Sequence, residues 1–169
     1  AIATPATPDL ATASDLGVLA TDNITSDNTP TFTVSGSFAG TAVLTATKSG
    51  STSVTCTISA NTCTLAALGN GDWVISVTDT DSSGNSATSS NLTITVDTTA
   101  PTVTGVTSST ANGTYKAGGI VLINVQFSET LVVAIGTPTL TLNAGANQPV
   151  IGFVSQQTIT NPNDTLRFS

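Results

Sequence analysis

The sequence predicts an all-β fold, and three observations support this. Apolar and small polar residues alternate with a period of two along many short segments, the pattern of strands with one buried face. Gly, Asn, Asp or Ser bounds each of these segments, as turn residues do. No segment has the sustained 3.6-residue periodicity of an amphipathic helix. Only 4% of the residues are aromatic, so a core must consist mainly of aliphatic side chains in thin layers, which favours β-sandwiches.

Six segments of the first half show the alternation most clearly. They are Thr31–Val34, Thr41–Thr47, Ser53–Ile58, Thr62–Leu65, Trp73–Thr78 and Leu92–Val96. The first half therefore predicts about seven short strands ending near Asp97, the number typical of an immunoglobulin-like sandwich.

A linker is predicted directly after these strands. Pro101 has no amide hydrogen to donate to a sheet, and it holds the preceding residue in an extended conformation. We therefore predict tandem immunoglobulin-like β-sandwiches joined by a short Pro-containing linker. The predicted parts are an extended N-terminal segment at 1–8, a sandwich at 9–97, the linker at 98–101 and a second sandwich at 102–169.

The second sandwich is expected to be incomplete. Its predicted strands are Thr102–Val106, Gly119–Phe127, Thr137–Leu142, Val150–Val154 and Thr165–Phe168. The sequence stops at Ser169 inside an apparent strand, and a sandwich cut there would leave an unpaired edge, which native proteins avoid. Either the polypeptide continues beyond Ser169 or another chain supplies the missing strands, and the first explanation is the simpler.

Composition excludes several classes of partner. Ten acidic residues against three basic ones give a net charge of −7, so nucleic acid, which needs clustered Lys and Arg, is not expected. A divalent cation suits this acidic balance better. No stretch approaches the roughly 20 apolar residues of a membrane-spanning helix.

Catalysis is not expected either, because the chain has no His, a single Glu at Glu129, and no Ser with an evident base partner.

The two cysteines, Cys56 and Cys63, flank a plausible hairpin tip at Ser59-Ala60-Asn61. The two thiols could face each other across neighbouring strands, so a disulfide is favoured over two free thiols in a chain of extracellular composition. Zinc is not expected, because no His or further Cys could complete a tetrahedral site.

A series of short motifs runs through residues 9 to 101. They are Ser14-Asp15-Leu16-Gly17, Asp22-Asn23-Ile24-Thr25, Thr29-Pro30-Thr31-Phe32, Asn70-Gly71-Asp72-Trp73, Thr78-Asp79 with Gly84-Asn85, and Val96-Asp97-Thr98-Thr99-Ala100-Pro101. In this order they resemble the bacterial Ig-like repeats of giant secreted adhesins. The second half is similar to another Ig-like or cadherin-like module of large bacterial surface proteins, through Ala111 to Gly118, Val125 to Glu129 and Thr137 to Leu142. The cysteine pair departs from the usual adhesin repeat and suggests local reinforcement.

This resemblance implies sandwiches joined end to end at a cell surface, with calcium at the junctions. Calcium takes six to eight hard oxygen ligands. The loop from Asp79 to Asn85 places Asp79 and Asp81 at alternate positions, followed by a turn Gly and the Asn85 amide, although a solvated turn would have the same composition. The family pattern adds Asp15, Asp22 and Asp97 as candidate ligands.

The predicted function is a structural or adhesive stalk segment of a secreted, extracellular protein, with neighbouring Ig-like domains or further copies of itself as partners. A filament subunit that exchanges strands is the first alternative, with residues 1–8 as the donor strand. A module that binds a glycan, a host receptor or another surface ligand is the second. Trp73 is expected to fill the core instead of forming a sugar platform, because Val74, Ile75 and Val77 continue the strand pattern.

Overall fold

The computed structural model describes residues 2–17, 19–116, 119–129, 139–141, 150–157 and 165–168. Every regular element within these ranges is a β-strand, which confirms the all-β prediction. A helix long and apolar enough to cross a membrane does not occur in them. The chain divides into two compact units, Ala1–Thr99 and Ala100–Ser169, named here unit 1 and unit 2.

The described part of unit 1 contains nine strands. They are β1 (Asp9–Leu10), β2 (Ile24–Thr25), β3 (Thr31–Thr33), β4 (Thr41–Thr47), β5 (Val54–Thr57), β6 (Thr62–Thr64), β7 (Gly71–Thr80), β8 (Ser86–Thr88) and β9 (Leu92–Val96). All six strands predicted from alternation are present, and β4 and β9 have the predicted bounds. The expected number of about seven was too low, because β1, β2 and β8 have only two or three residues, too few for alternation to identify a strand.

These strands form two sheets. One has three strands in the order β1-β3-β6, and the other has the order β2-β9-β7-β4-β5, with β8 also paired to β7. The short β2 pairs with β9 in parallel, whereas the other pairs in these two sheets are antiparallel.

One hydrophobic core joins the two sheets. Inward-facing residues of β4 and β7 alternate with outward Thr, Ser and Val along the larger sheet, as a strand with one buried face requires. Phe32 of the smaller sheet and Leu44 and Ile75 of the larger one are completely buried in the same cluster. Unit 1 is therefore an immunoglobulin-like β-sandwich, with the two inner faces packed against each other.

The disulfide between Cys56 and Cys63 is present, and it joins the two sheets. Cys56 lies on β5, the edge strand of the larger sheet, and Cys63 on β6, the edge strand of the smaller one. The chain crosses from β5 to β6 through a tight turn in which Ala60 and Asn61 both have positive φ. The predicted pairing is confirmed, but the bridge spans two sheets at their open edges instead of two neighbouring strands of one sheet.

The described residues of unit 2 form one antiparallel sheet. Its strands are β10 (Val103–Ser108), β11 (Ile123–Phe127), β12 (Thr139–Thr141), β13 (Val150–Gln157) and β14 (Thr165–Phe168), in the order β10-β11-β14-β13-β12. Of the predicted strand Thr137–Leu142, the two ends lie outside the described residues, as does Ser169.

Candidate metal centres

The six predicted calcium ligands fall into two groups at opposite ends of β7. Asp97 follows Val96, which pairs with Gly71 at the start of β7, whereas Asp79 and Asp81 lie at the end of the same strand. A strand of ten residues spans about 30 Å at roughly 3.3 Å per residue, so no single ion could contact both groups. The Asp15 end comprises Asp15, Asp22 and Asp97, and the Asp79 end comprises Asp79, Asp81 and Asn85.

Asp15 is a buried carboxylate with only one oxygen paired. Its side chain is 4% exposed, and Oδ2 accepts a hydrogen bond of 3.3 Å from the amide of Asn23. Its Oδ1 is buried and has no hydrogen-bond partner within the described part of the chain. A buried ionised oxygen without a partner is costly, and a cation would remove that cost.

A hydrogen-bonded network holds the backbone around Asp15. Thr25 is almost completely buried, and its hydroxyl donates to the carbonyl of Ser14 and accepts from the amides of Leu16 and Asp27 at 3.3 and 2.9 Å. The hydroxyl of Ser14 in turn accepts from the amide of Thr31 at 3.0 Å. The Asp15 carboxylate therefore lies in a loop that is tied to the sandwich on both sides.

Asp22 and Asp97 belong to the same end of unit 1. The amide of Asp97 donates to the carbonyl of Thr25 at 2.9 Å, which places Asp97 beside the Asp15 loop. Asp22 Oδ1 accepts from the amide of Ile24 at 3.1 Å, and Asn23 between them has a φ of 61°, a left-handed conformation that Asn tolerates.

The described residues contain no cluster of three or more His, Cys, Asp or Glu side chains close enough to hold a metal ion by themselves. A calcium ion at the Asp15 end would therefore also need carbonyl, hydroxyl, amide or water oxygens, all of which calcium accepts.

Asp27 adds a further carboxylate to this end that the sequence did not single out. Its partial burial opposes ionisation, but hydrogen bonds from Ser14 and Thr29 outweigh this and hold the pKa of Asp27 below the ordinary value of 3.8. The Asp27 carboxylate is therefore stabilised in its charged form.

Asp79 is also buried, but both of its oxygens are paired. It is 2% exposed, and its Oδ2 and Oδ1 accept hydrogen bonds from the amides of Ala39 and Gly40 at 2.7 and 3.2 Å. The backbone of Gly40 lies close to that of Thr80, since a Cβ at Gly40 would be 2.0 Å from the carbonyl oxygen of Thr80. The two hydrogen bonds of Asp79 therefore hold the loop before β4 against the end of β7.

Asp81 and Asn85 form an exposed turn that satisfies its own polar groups. Asp81 Oδ1 accepts from the amides of Ser83 and Asn85 at 2.8 and 2.9 Å, and Oδ2 accepts from the Asn85 side-chain amide at 2.9 Å. These hydrogen bonds, that from the Asn85 side chain first, lower the pKa of Asp81 below 3.8. Asp79 and Asp81 do not share one face of the strand, because β7 ends at Thr80. The carboxylate of Asp79 is therefore in the interior, whereas that of Asp81 lies in the turn beyond the strand.

Trp73 lies in the core, as predicted. Its side chain is 3% exposed, and its Nε1 donates to the carbonyl of Gly69 at 2.7 Å. A buried ring cannot serve as a platform for a sugar.

Asn70 is a residue whose role the sequence did not predict. Its side chain is exposed and contacts the residues that follow β9, including Asp97 Oδ1, to which it donates at 3.2 Å. The only signal in the sequence is the turn-forming pair Asn70-Gly71, which does not reveal this contact with a segment 27 residues away.

The first part of the chain is similar to a known protein family. The model of a family described as a bacterial Ig-like domain matches residues 1–98. A comparison with curated proteins finds no match.

Proposed function

The chain belongs to the family of bacterial Ig-like domains, which are surface or structural modules, and we propose that it is a non-catalytic stalk segment of an extracellular bacterial protein. In this proposal calcium stiffens the ends of its domains. Its partners are neighbouring Ig-like domains or further copies of itself, and a stalk of this kind carries an adhesive contact with a host or surface ligand.

The unpaired Oδ1 of Asp15 is the single observation that carries the calcium part of the proposal. Ionised oxygens are rarely buried without a partner, because the lost hydration must be replaced. Calcium is a hard cation that replaces it with a direct oxygen contact. The Thr25 network already holds the Asp15 loop in place, so ion binding would need little further ordering of the backbone.

Stiffening follows from where this end lies in the chain. Asp97 is the first residue after β9, and its amide donates to the carbonyl of Thr25 in β2. The hydroxyl of Thr25 is in turn bonded to Ser14 and Leu16 on either side of Asp15. Negative charges at one end of a domain repel, and a bound cation offsets that repulsion. We therefore propose Asp15, Asp22 and Asp97 as the calcium ligands of this end, completed by carbonyl, hydroxyl, amide or water oxygens.

The Asp79 end is proposed as a weaker site. Asp79, Asp81 and Asn85 already make hydrogen bonds through their side chains, so calcium there would compete with an arrangement that is satisfied without it. The difference in pairing predicts that the Asp15 end binds calcium more tightly.

Thermal unfolding with calcium and with excess chelator tests this proposal. A site that binds only the folded state stabilises it by about 2.7 kcal/mol when free calcium is 100 times the dissociation constant. We expect the wild type to melt at a higher temperature with calcium, Asp15→Asn to lose most of that rise, and Asp81→Asn to keep most of it. The Asp81 variant is the matched control, because it makes the same chemical change at the other end.

Two outcomes would contradict the proposal. An unchanged melting temperature with chelator would remove calcium from the function and leave a metal-free stalk. An equal calcium response in wild type and Asp15→Asn would place the ion elsewhere. Magnesium at the same concentration checks selectivity, since magnesium requires a tighter octahedral geometry and gives up its water reluctantly.

A further inference from the structure

The side chain of Asn70 contacts all three residues that follow β9 in unit 1. Its Nδ2 donates to Asp97 Oδ1 at 3.2 Å and to the hydroxyl of Thr99 at 2.8 Å. Its Oδ1 accepts from the amide of Thr98 at 3.2 Å and from the Thr98 hydroxyl at 2.7 Å. One exposed amide thus makes four hydrogen bonds to a segment without regular secondary structure.

We propose that Asn70 is a positioning residue that fixes the direction in which the chain leaves unit 1, and that it does so without a metal ion. The carboxamide group of Asn or Gln offers two N–H donors and an oxygen acceptor in one plane. This matches residues 97–99, where Asp97 and Thr99 supply acceptors and Thr98 supplies two donors. The inference depends on the proposed stalk function for its purpose, but not on calcium.

Asn70 can act in this way because the side chain of Lys48 holds the backbone of Asn70 in place. Its carbonyl accepts a hydrogen bond from the ammonium of Lys48, which also lies 5.8 Å from the centre of the Trp73 ring. The next residue, Gly71, has a φ of 112°, and a Cβ there would lie 2.7 Å from Lys48 Nζ. Glycine at this position therefore permits both the backbone conformation and the approach of the lysine.

Asp97 is held in the same arrangement. Its Oδ1 accepts from Asn70 and also from the amide of Thr99 at 3.0 Å. The amides of Thr98 and Thr99 are therefore both bonded to side chains, although neither residue belongs to a sheet. The carboxylate of Asp97 is oriented before any cation arrives, so Asn70 would also preorganise one ligand of the proposed calcium end.

Hydrogen exchange measured by NMR on the whole chain tests this proposal, in chelator and again in calcium. We expect the amides of Thr98 and Thr99 to be protected in the wild type even with chelator. Asn70→Ala should speed the exchange of the Thr98 amide, whose acceptor it removes, by about five- to tenfold, the factor expected when roughly one net hydrogen bond is lost. The Thr99 amide should speed up less, because its acceptor is Asp97, which Asn70 only positions. Asn70→Asp keeps the acceptor for Thr98 and loses both donors, so Thr99 should lose more protection than Thr98.

Asn91→Ala is the matched control, because Asn91 is an exposed amide directly before β9, at the opposite end of that strand from residues 97–99. It should leave the exchange of Thr98 and Thr99 unchanged. Amides of β4 and β7 report on the fold, and they should exchange at wild-type rates in all variants.

The two proposals can fail separately. Rapid exchange of Thr98 and Thr99 in wild-type protein with chelator, or equal exchange in the wild type and Asn70→Ala, would overturn the role of Asn70. Protection of both amides in a protein whose melting ignores calcium would overturn the calcium site and leave the role of Asn70 intact.

Discussion

Unit 1 buries two carboxylates at opposite ends, and their pairing differs. Asp79 has both oxygens bonded to backbone amides of one loop, whereas Asp15 has one oxygen bonded and one without a partner in the described residues. Burial is almost the same, at 2% and 4% exposed. Burial by itself therefore does not distinguish a structural carboxylate from a candidate ligand, whereas the pairing of each oxygen does.

The Cys56 half of the disulfide lies close to Asp79 in the register of the larger sheet. Cys56 pairs with Leu44, two residues along β4 from Ala42, the partner of Asp79. The amide of Ile58, next to this crossing between sheets, donates to the carbonyl of Ala42. In the larger sheet the disulfide therefore lies two residues along β4 from a carboxylate with both oxygens paired, whereas the described contacts of the Asp15 carboxylate comprise one hydrogen bond.

The largest expected effect comes from Asp79→Ala. It leaves the amides of Ala39 and Gly40 without their acceptors, and hydrogen bonds to a charged group contribute about 1.5–3 kcal/mol each. We expect a loss of roughly 3 kcal/mol in the free energy of unfolding with chelator, and only slightly more with calcium because this end is the proposed weaker site, as measured by urea denaturation. A calcium-dependent loss as large as that of Asp15→Asn would mean that both ends bind calcium equally well and would erase the contrast between them.

Removal of the disulfide tests the covalent part of the contrast. A closed loop of about eight residues corresponds to roughly 2.5 kcal/mol in the chain-entropy treatment. Cys56→Ser combined with Cys63→Ser should lower the free energy of unfolding by about this amount, measured by urea denaturation. Hydrogen exchange should accelerate at Ala39 and Gly40 more than at Asn23. Equal acceleration at both ends would show that the bridge stabilises the whole sandwich uniformly.

The sequence predicted the regular parts of this fold well, because alternation is a local signal. β4 and β9 begin and end where the pattern of buried and exposed residues does. The two-residue strands β1 and β2 are too short to alternate, and they exist only because β3 and β9 lie beside them.

The roles of the candidate ligands depend on contacts that spacing does not show. Asp79 and Asp81 resemble a ligand pair in sequence, yet the last inward position of β7 falls on Asp79, and its partners are 40 and 39 residues away. The pairing of the cysteines followed from their turn. The crossing between sheets did not, because it requires knowing which sheet each edge strand joins.

Asp15→Asn in chelator should have a smaller effect, and of the opposite sign to that of Asp79→Ala. It removes a buried charge while keeping a similar shape and an oxygen that can accept from Asn23. Because a charged group without a partner costs more to bury than a neutral amide, we expect the free energy of unfolding to rise by about 1 kcal/mol. A loss of stability in chelator would indicate that the Asp15 carboxylate has partners without calcium, and the two buried acids would then be equivalent.

The smallest expected effect concerns one partly exposed carboxylate at each end, Asp27 and Asp81, whose pKa values are both lowered below 3.8. A carboxyl group whose pKa is lower in the folded state than in the unfolded state adds stability above about pH 3.8, and this is lost as pH falls through the folded-state pKa. Urea midpoints measured from about pH 5 downwards should therefore fall less steeply in Asp27→Asn and in Asp81→Asn than in the wild type. Each slope is compared with that of the wild type, because the remaining acids titrate in the same range. Solvent screens both groups, so the two changes should be small and similar. If the urea midpoint became less dependent on pH in only one variant, acid would destabilise that end of the sandwich before the other.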